Sequence, residues 1–166
     1  MGPFGDLYGR IGVTANAAFT PTASAYSALD IVDVAKEFVW SLADGTAPPT
    51  GCLIRITTAI LKIDQTALQS GEGAYTLRDY AITPPSAQAD NAAYSLASAD
   101  LPSYRGSISL GTPVDEGNAC YIKTTGLLED IKLDPGKISH WAQLQTVAGF
   151  TFTAVARQVF LYGFLV

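Results

Sequence analysis

The longest aliphatic and β-branched run away from the termini is Leu53–Asp64, Leu-Ile-Arg-Ile-Thr-Thr-Ala-Ile-Leu-Lys-Ile-Asp. Its isoleucines and threonines are stiff at χ1 and suit a pleated surface better than a helix, so the run predicts the central strand. Ile54 and Ile56 face one way with Arg55 and Thr57 opposite, and the apolar phase then moves to Leu61 and Ile63. A bulge near Thr58 accounts for the shift, because one extra residue exchanges the two faces of a strand. Tyr104–Leu110 alternates most cleanly, with Ile108 and Leu110 opposite Arg105, Ser107 and Ser109. Cys120–Leu127 sets Cys120 and Ile122 against Tyr121 and Lys123. Ala74–Ile82 sets Tyr75 and Leu77 against Thr76 and Arg78, a strand expected to pair with the central one. Two short strands are expected from Ser24 onward, the second beginning at Glu37.

The last two strands, Ile138–Val147 and Phe152–Val166, are joined by Ala148-Gly-Phe and read as a closing hairpin. In the second of them Val155, Val159, Leu161 and Leu165 are apolar, and so are Phe160, Tyr162 and Phe164 on the opposite phase. Both faces are expected to be buried. Antiparallel strands normally wet one face, so the outer face calls for a cover, either a loop or a sister subunit. Between the strands, Asp44-Gly45, Pro48-Pro49, Gly71-Glu-Gly73, Asp115-Glu-Gly117 and Asp134-Pro-Gly136 supply turns. Ser86–Ser103 has no period of two and reads as a surface loop with one helical turn, capped by Ser98 and stopped by Pro102. Asp30 and Asp33 are expected to satisfy local backbone donors.

These elements define an all-β chain of antiparallel strands with little helix, divided into a segment 1–22 and a single domain 23–166. The first segment mixes glycine and proline with Phe4, Leu7, Tyr8, Ile11 and Phe19 in no regular period. Two readings stand: an extended arm docking on a neighbour, or a short strand on the same domain.

Charged residues make up 15% of the 166 against 48% hydrophobic, a lean surface that favours a subunit over a lone molecule. A net charge of −5, with ten scattered Lys and Arg, argues against nucleic acid. No targeting segment is expected at the N-terminus, and Val155–Val166, with Arg157 and Gln158, is too short and too polar to span a membrane. Cys52 and Cys120 are expected as free buried thiols. His140, the one histidine, reads as a strand residue beside an aromatic, since no nucleophile motif lies near it. With the two cysteines it leaves a closed zinc site one ligand short. No Gly-x-Ser-x-Gly elbow or phosphate loop is present, and Asp79, Asp90 and Asp100 lack calcium-loop spacing. No catalytic residue, metal or cofactor is expected. Trp40, Trp141 and the eight tyrosines leave a sugar-stacking platform open as a minority reading.

Ala25–Val32, Gly51-Cys-Leu-Ile-Arg-Ile, Tyr75-Thr-Leu-Arg-Asp-Tyr, Asp90-Asn-Ala-Ala-Tyr-Ser-Leu and Ala99-Asp-Leu-Pro-Ser-Tyr-Arg-Gly follow one another in an order that resembles the small head-decoration (cement) proteins of tailed bacteriophages. The likeness runs from about Pro21 to the C-terminus and carries over no catalytic residue. It implies a jelly-roll-like antiparallel β-sandwich that trimerises on the outer capsid surface and bridges subunits of the major capsid protein. Contacts to the coat or to a sister subunit are expected from the arm residues Phe4, Leu7, Tyr8 and Ile11, and a subunit interface from Phe160, Tyr162 and Phe164. The alternative is a trimeric receptor-binding or carbohydrate-binding module of a phage fibre.

Overall fold

The computed structural model describes residues 10–84 and 86–166. Its strands are β1 (Gly12–Phe19), β2 (Ala25–Tyr26), β3 (Ile31–Val39), β4 (Ser41–Leu42), β5 (Leu53–Ile63), β6 (Tyr75–Tyr80), β7 (Tyr104–Gly111), β8 (Val114–Asp115), β9 (Cys120–Lys132), β10 (Ser139–Thr146), β11 (Phe150–Thr151) and β12 (Arg157–Leu165). Among the described residues the only helical element is the 3-10 turn Ser98–Asp100. Ala97, not Ser98, holds the cap position there and makes no side-chain capping bond.

The chain is all-β, in antiparallel sheets. One sheet has the order β4-β1-β12-β5-β9-β8, a second β3-β10-β6-β7, and β11 pairs with β2 as a small ribbon. Ile54, Ile56, Ala59 and Leu61 of β5 and Val159 and Leu161 of β12 share one buried cluster with Phe38, Leu77, Ile108, Ala142 and Leu144 of the other sheet. The core therefore lies between the six-stranded and four-stranded sheets, and alternation on each long strand supplies it.

β5 does carry the predicted bulge. Ile56 lies opposite Gly163 and Thr58 opposite Tyr162, so Thr57 is the additional residue, and the buried set passes from Ile54 and Ile56 to Ala59, Leu61 and Ile63. Gly163 is what lets the two backbones approach at this point. A Cβ there would lie 2.2 Å from the Arg55 carbonyl oxygen.

Two pairing expectations are corrected. β6 pairs with β10 and β7, not with β5. β10 and β12 form no hairpin: β10 lies between β3 and β6, while β12 lies between β1 and β5 in the opposite sheet. Alternation records that one face is buried but not which neighbour a strand takes, and here connections cross the core from sheet to sheet.

Within segment 1–22, Gly12–Phe19 is a strand of the domain itself, bonded along its full length to β12 and at Val13 and Thr14 to β4. Val13, Ala15 and Phe19 are buried, and the Phe19 ring sits 6.2 Å from that of Phe38. That part of the expected arm is core.

The outer faces of the two main sheets differ. The 81–103 segment lies over the four-stranded one. Ile31 N–H donates to Ala92 O at 2.8 Å, Tyr94 N–H to Leu29 O at 3.0 Å, and Ala81 N–H to Ser103 O at 2.7 Å. The Tyr94 hydroxyl meets that of Tyr80 at 3.0 Å, and the Arg78 guanidinium lies 4.7 Å from the Tyr94 ring. Beneath this cover Gln143 and Gln145 are buried although they point away from the core. Asp90 holds the segment down by accepting from Thr22 N–H and Oγ1, from the Tyr26 hydroxyl and from Asp33 N–H, all within 2.9 Å. The six-stranded sheet has no such covering segment among the described residues.

Candidate functional site

The open face of the six-stranded sheet is built by strand register. β12 turns Val159 and Leu161 inward, so Phe160, Tyr162 and Phe164 must point outward. Phe160 lies between Asn16 of β1 and Ile60 of β5, Tyr162 between Thr14 and Thr58, and Phe164 between Gly12 and Arg55. The short side chains of Thr14 and Thr58 leave the Tyr162 ring the most exposed of the three. Tyr162 is 41% exposed, and Phe160, Phe164 and Ile60 are half-buried. Of the two covers expected for this face, no described loop supplies one, and within the single chain the face is only partly buried. The Arg10 guanidinium stacks 4.2 Å from the centre of the Phe164 ring. A shallow apolar groove lined by Gly12, Val13, Thr14, Ala43 and Tyr162 runs beside the row.

Two of the basic side chains of this face are paired in place. Arg55 makes a two-pronged contact with Asp130 at 2.7 and 2.6 Å, and Lys62 pairs with Asp64 at 2.8 Å. Exposed pairs of this kind contribute little stability, and Lys123, opposite Ile60 on β9, is exposed and forms no ion pair with a described carboxylate.

Of the expected arm contacts, Phe4, Leu7 and Tyr8 lie outside the described residues. Ile11 is 55% exposed, immediately before β1, and its carbonyl accepts from Leu165 N–H at 3.0 Å. Ile11 therefore lies at the end of the β1–β12 pair marked by Phe164 and Leu165, while Phe160, opposite Asn16, sits at its middle. Sequence alone did not show Ile60 or Arg10 as parts of this face; the β5 bulge that sets Ile60 outward was the signal available for the first.

The buried polar groups serve the fold. The Trp40 indole N–H donates to His140 Nδ1 at 3.0 Å, which places the ring hydrogen on Nε2, and this donates to Asp79 Oδ1 at 3.2 Å. His140 is sealed from solvent and stacks on Phe38 and Trp40 at 5.2 and 5.7 Å. Asp30 and Asp33 accept from the backbone N–H groups of Ser27 and Val34, as expected. Among the described residues no three His, Cys, Asp or Glu side chains converge as metal ligands. Cys52 and Cys120 are free. Cys120 lies opposite Ile63, at the far end of the β5–β9 pair from Cys52, so about ten strand residues, or ~33 Å, separate them. Burial pushes both thiols up from their ordinary range.

A second feature lies where the 81–103 cover begins. Trp141 and Ser139 of β10, Glu37 of β3, Ala81, Ile82 and Thr83 beyond β6, and Lys137 line a cavity of about 260 Å³. Trp40 belongs to the core and Trp141 to this cavity, so the two tryptophans do not form a common platform. Comparison of the chain with protein-family models and with curated proteins finds no match.

Proposed function

We propose that this chain is a structural capsid decoration protein, which binds the outer surface of a phage head as a homotrimer and bridges subunits of the major capsid protein. The observation that carries the reading is the contrast between the two sheets: the 81–103 segment bonds over the outer face of one, and on the other Tyr162 is exposed between half-buried Phe160 and Phe164 with no described segment over them. A preformed sheet face with a row of aromatics along its centre suits a protein partner, since interface cores favour Tyr and Phe. The strand orders β1-β12-β5-β9 and β3-β10-β6-β7 support a jelly-roll sandwich, in which each sheet draws its strands from both halves of the chain. The mechanism is adhesive. A trimer engages several coat subunits at once, so contacts that are weak singly become strong together. No covalent step is assigned to any residue, and no cofactor, nucleic acid or membrane enters the reading.

The test is to mix the purified protein with capsids assembled from the coat protein of its own genome, sediment them, and measure copies per particle alongside the mass of the free protein by light scattering. Saturable binding by a trimer is expected. A trimer that ignores capsids moves the reading to a glycan-binding fibre module, and a monomer that ignores them also removes the interface role of β12. Tyr162→Glu places a charge in the centre of the aromatic row and is expected to leave the domain folded but to abolish the trimer. Retention of both fold and trimer sinks that placement. Deleting residues 1–9 is expected to lower capsid occupancy or trimer mass, and unchanged values for both refute a contact through Phe4, Leu7 and Tyr8.

A further inference from the structure

We propose that the cavity beside Trp141 binds one ring of a neutral hexose, as a monosaccharide or as a residue of a glycan chain. The inference does not rest on the capsid reading, and either can fail without the other. The cavity exists because the covering segment leaves the sheet abruptly. Tyr80 of β6 lies opposite Trp141, but the chain beyond it turns away through Ala81, Ile82 and Thr83 and forms a wall instead of a lid. Ser139 and Trp141, two residues apart on β10, point to the same side, and Glu37 stands opposite Trp141 on β3. Lys137, from the turn before β10, closes the other side.

The chemistry of this lining is that of a sugar subsite. Trp141 is half-buried and gives a flat apolar wall for the C–H face of a pyranose. Its indole N–H has no hydrogen-bond partner among the described residues, whereas that of Trp40 is taken by His140. Glu37 Oε1 accepts from Ser139 Oγ at 2.5 Å, which fixes the carboxylate and leaves Oε2 to accept from ligand hydroxyls. Lys137 makes no ion pair with any described carboxylate. One carboxylate and one ammonium offset each other, which favours a neutral polyol over an anion or a cation. About 260 Å³ is below the range of roughly 300–1,000 Å³ for drug-sized ligands, so the occupant is a single ring. A ring of that size on an open site binds with a Kd on the order of millimolar.

Two tryptophans in distinct settings make the test direct. Protein labelled with 15N gives one indole N–H signal from sealed Trp40 and one from Trp141, assigned with Trp141→Phe. Glucose, galactose, mannose and N-acetylglucosamine are titrated separately to high-millimolar concentration, with glycine and sulfate as charged controls. The expected result is a saturable shift of the Trp141 signal with at least one sugar, the Trp40 signal unmoved, and affinity weakened about tenfold or more in Glu37→Gln. Glu37 is exposed and its replacement leaves the core untouched. The proposal is overturned if no sugar in the panel moves Trp141, if Glu37→Gln binds as well as the parent, or if glycine or sulfate shifts the signal equally.

Discussion

Replacing Arg157 by methionine removes the positive half of an ion pair that is sealed from water at both ends. Arg157 Nη2 donates to Glu72 Oε1 at 2.9 Å, and both side chains are 0% exposed. Nε donates to the Tyr75 hydroxyl at 3.3 Å, Nη1 to the carbonyls of Thr153 and Val155 at 3.1 and 2.6 Å, and the guanidinium lies 4.5 Å from the Phe152 ring centre. Glu72 also accepts from the Tyr75 hydroxyl at 2.5 Å, Gln65 Nε2 at 3.1 Å and Gln69 N–H at 3.0 Å. The cluster thus ties the first residue of β12 to the connection between β5 and β6. Without the guanidinium, Glu72 keeps three donors but no countercharge, and two carbonyls lose their partner. Breaking one side of a buried pair costs about 3–5 kcal/mol. Against a total stability of about 5–15 kcal/mol that is a large fraction, equivalent to a fall in Tm of about 6–20 °C for a chain of this size.

Glu72→Met is expected to cost a similar amount for the reciprocal reason. The double variant Arg157→Met, Glu72→Met leaves no charge behind, so it is expected to lose less than the sum of the single effects by about 2–3 kcal/mol. Urea unfolding followed by tryptophan fluorescence, at one protein concentration for all four proteins, gives the cycle, with unchanged slopes as the condition for comparing midpoints. A cost below about 1 kcal/mol for Arg157→Met, or strict additivity in the double variant, refutes the assignment of Arg157–Glu72 as a coupled, desolvated pair.

Gly163→Ala sets a Cβ 2.2 Å from the Arg55 carbonyl oxygen and 3.1 Å from Ile56 Cα, so β12 must shift away from β5. A loss of at least about 2 kcal/mol is expected, while Gly12→Ala, with nothing within 4 Å of the new Cβ, stays near the parent; equal midpoints for both variants in urea remove the close-approach argument. Burial pushes the Asp90 carboxyl up, but hydrogen bonds from the Thr22 side chain, Tyr26 and the backbone of Thr22 and Asp33 outweigh it, and the net displacement is downward. A carboxyl lowered by folding supplies stability that is full above its unfolded pKa and lost as pH falls through the lowered folded value. Asp90→Asn is therefore expected to flatten the fall of the urea midpoint on the acid side of about pH 4, near the ordinary Asp range, and an unchanged acid slope counts against the role of Asp90 as the pin of the covering segment.

What the sequence disclosed, it disclosed through period and phase. The β5 bulge was legible because an inserted residue exchanges the faces of everything that follows, and the apolar set from Ile56 to Ala59 and Leu61 makes that exchange. β7 was legible because Ser107 and Ser109 alternate with Ile108 and Leu110. β1 was obscured because its inward residues, Val13, Ala15 and Phe19, sit among alanines and glycine, which carry little contrast between apolar and polar positions. Arg157 stood out in the sequence only as a polar interruption of an apolar window, since its partner Glu72 is 85 positions away and no local pattern announces a pair formed across the core. The same limit hid the cavity: Glu37 and Trp141 are neighbours only through the register of β3 on β10. Sheet membership was hidden for a related reason, because successive strands take part in different sheets and a local reading favours hairpins.

The two outer sheet faces pose one physical problem with two treatments. An aromatic sheet face in water is costly, and covering it recovers the burial of each ring. On the four-stranded sheet, Tyr80 and Tyr104 pack at 5.3 Å and the chain lays Tyr94 beside them, with Arg78 between the loop and Gln145. That cover is intramolecular, and its backbone bonds to β3 and to Leu29 make it part of the fold. On the six-stranded sheet, among the described residues, Phe160, Tyr162 and Phe164 receive only the Arg10 guanidinium over Phe164. The rings there stand on β12, which is bonded on both sides and anchored at its start by the sealed Arg157–Glu72 pair, so the row is held rigid before any partner arrives. Rigidity of this kind lowers the ordering cost of association. The adhesive role proposed above requires that combination of a rigid scaffold and an apolar row that no described segment covers.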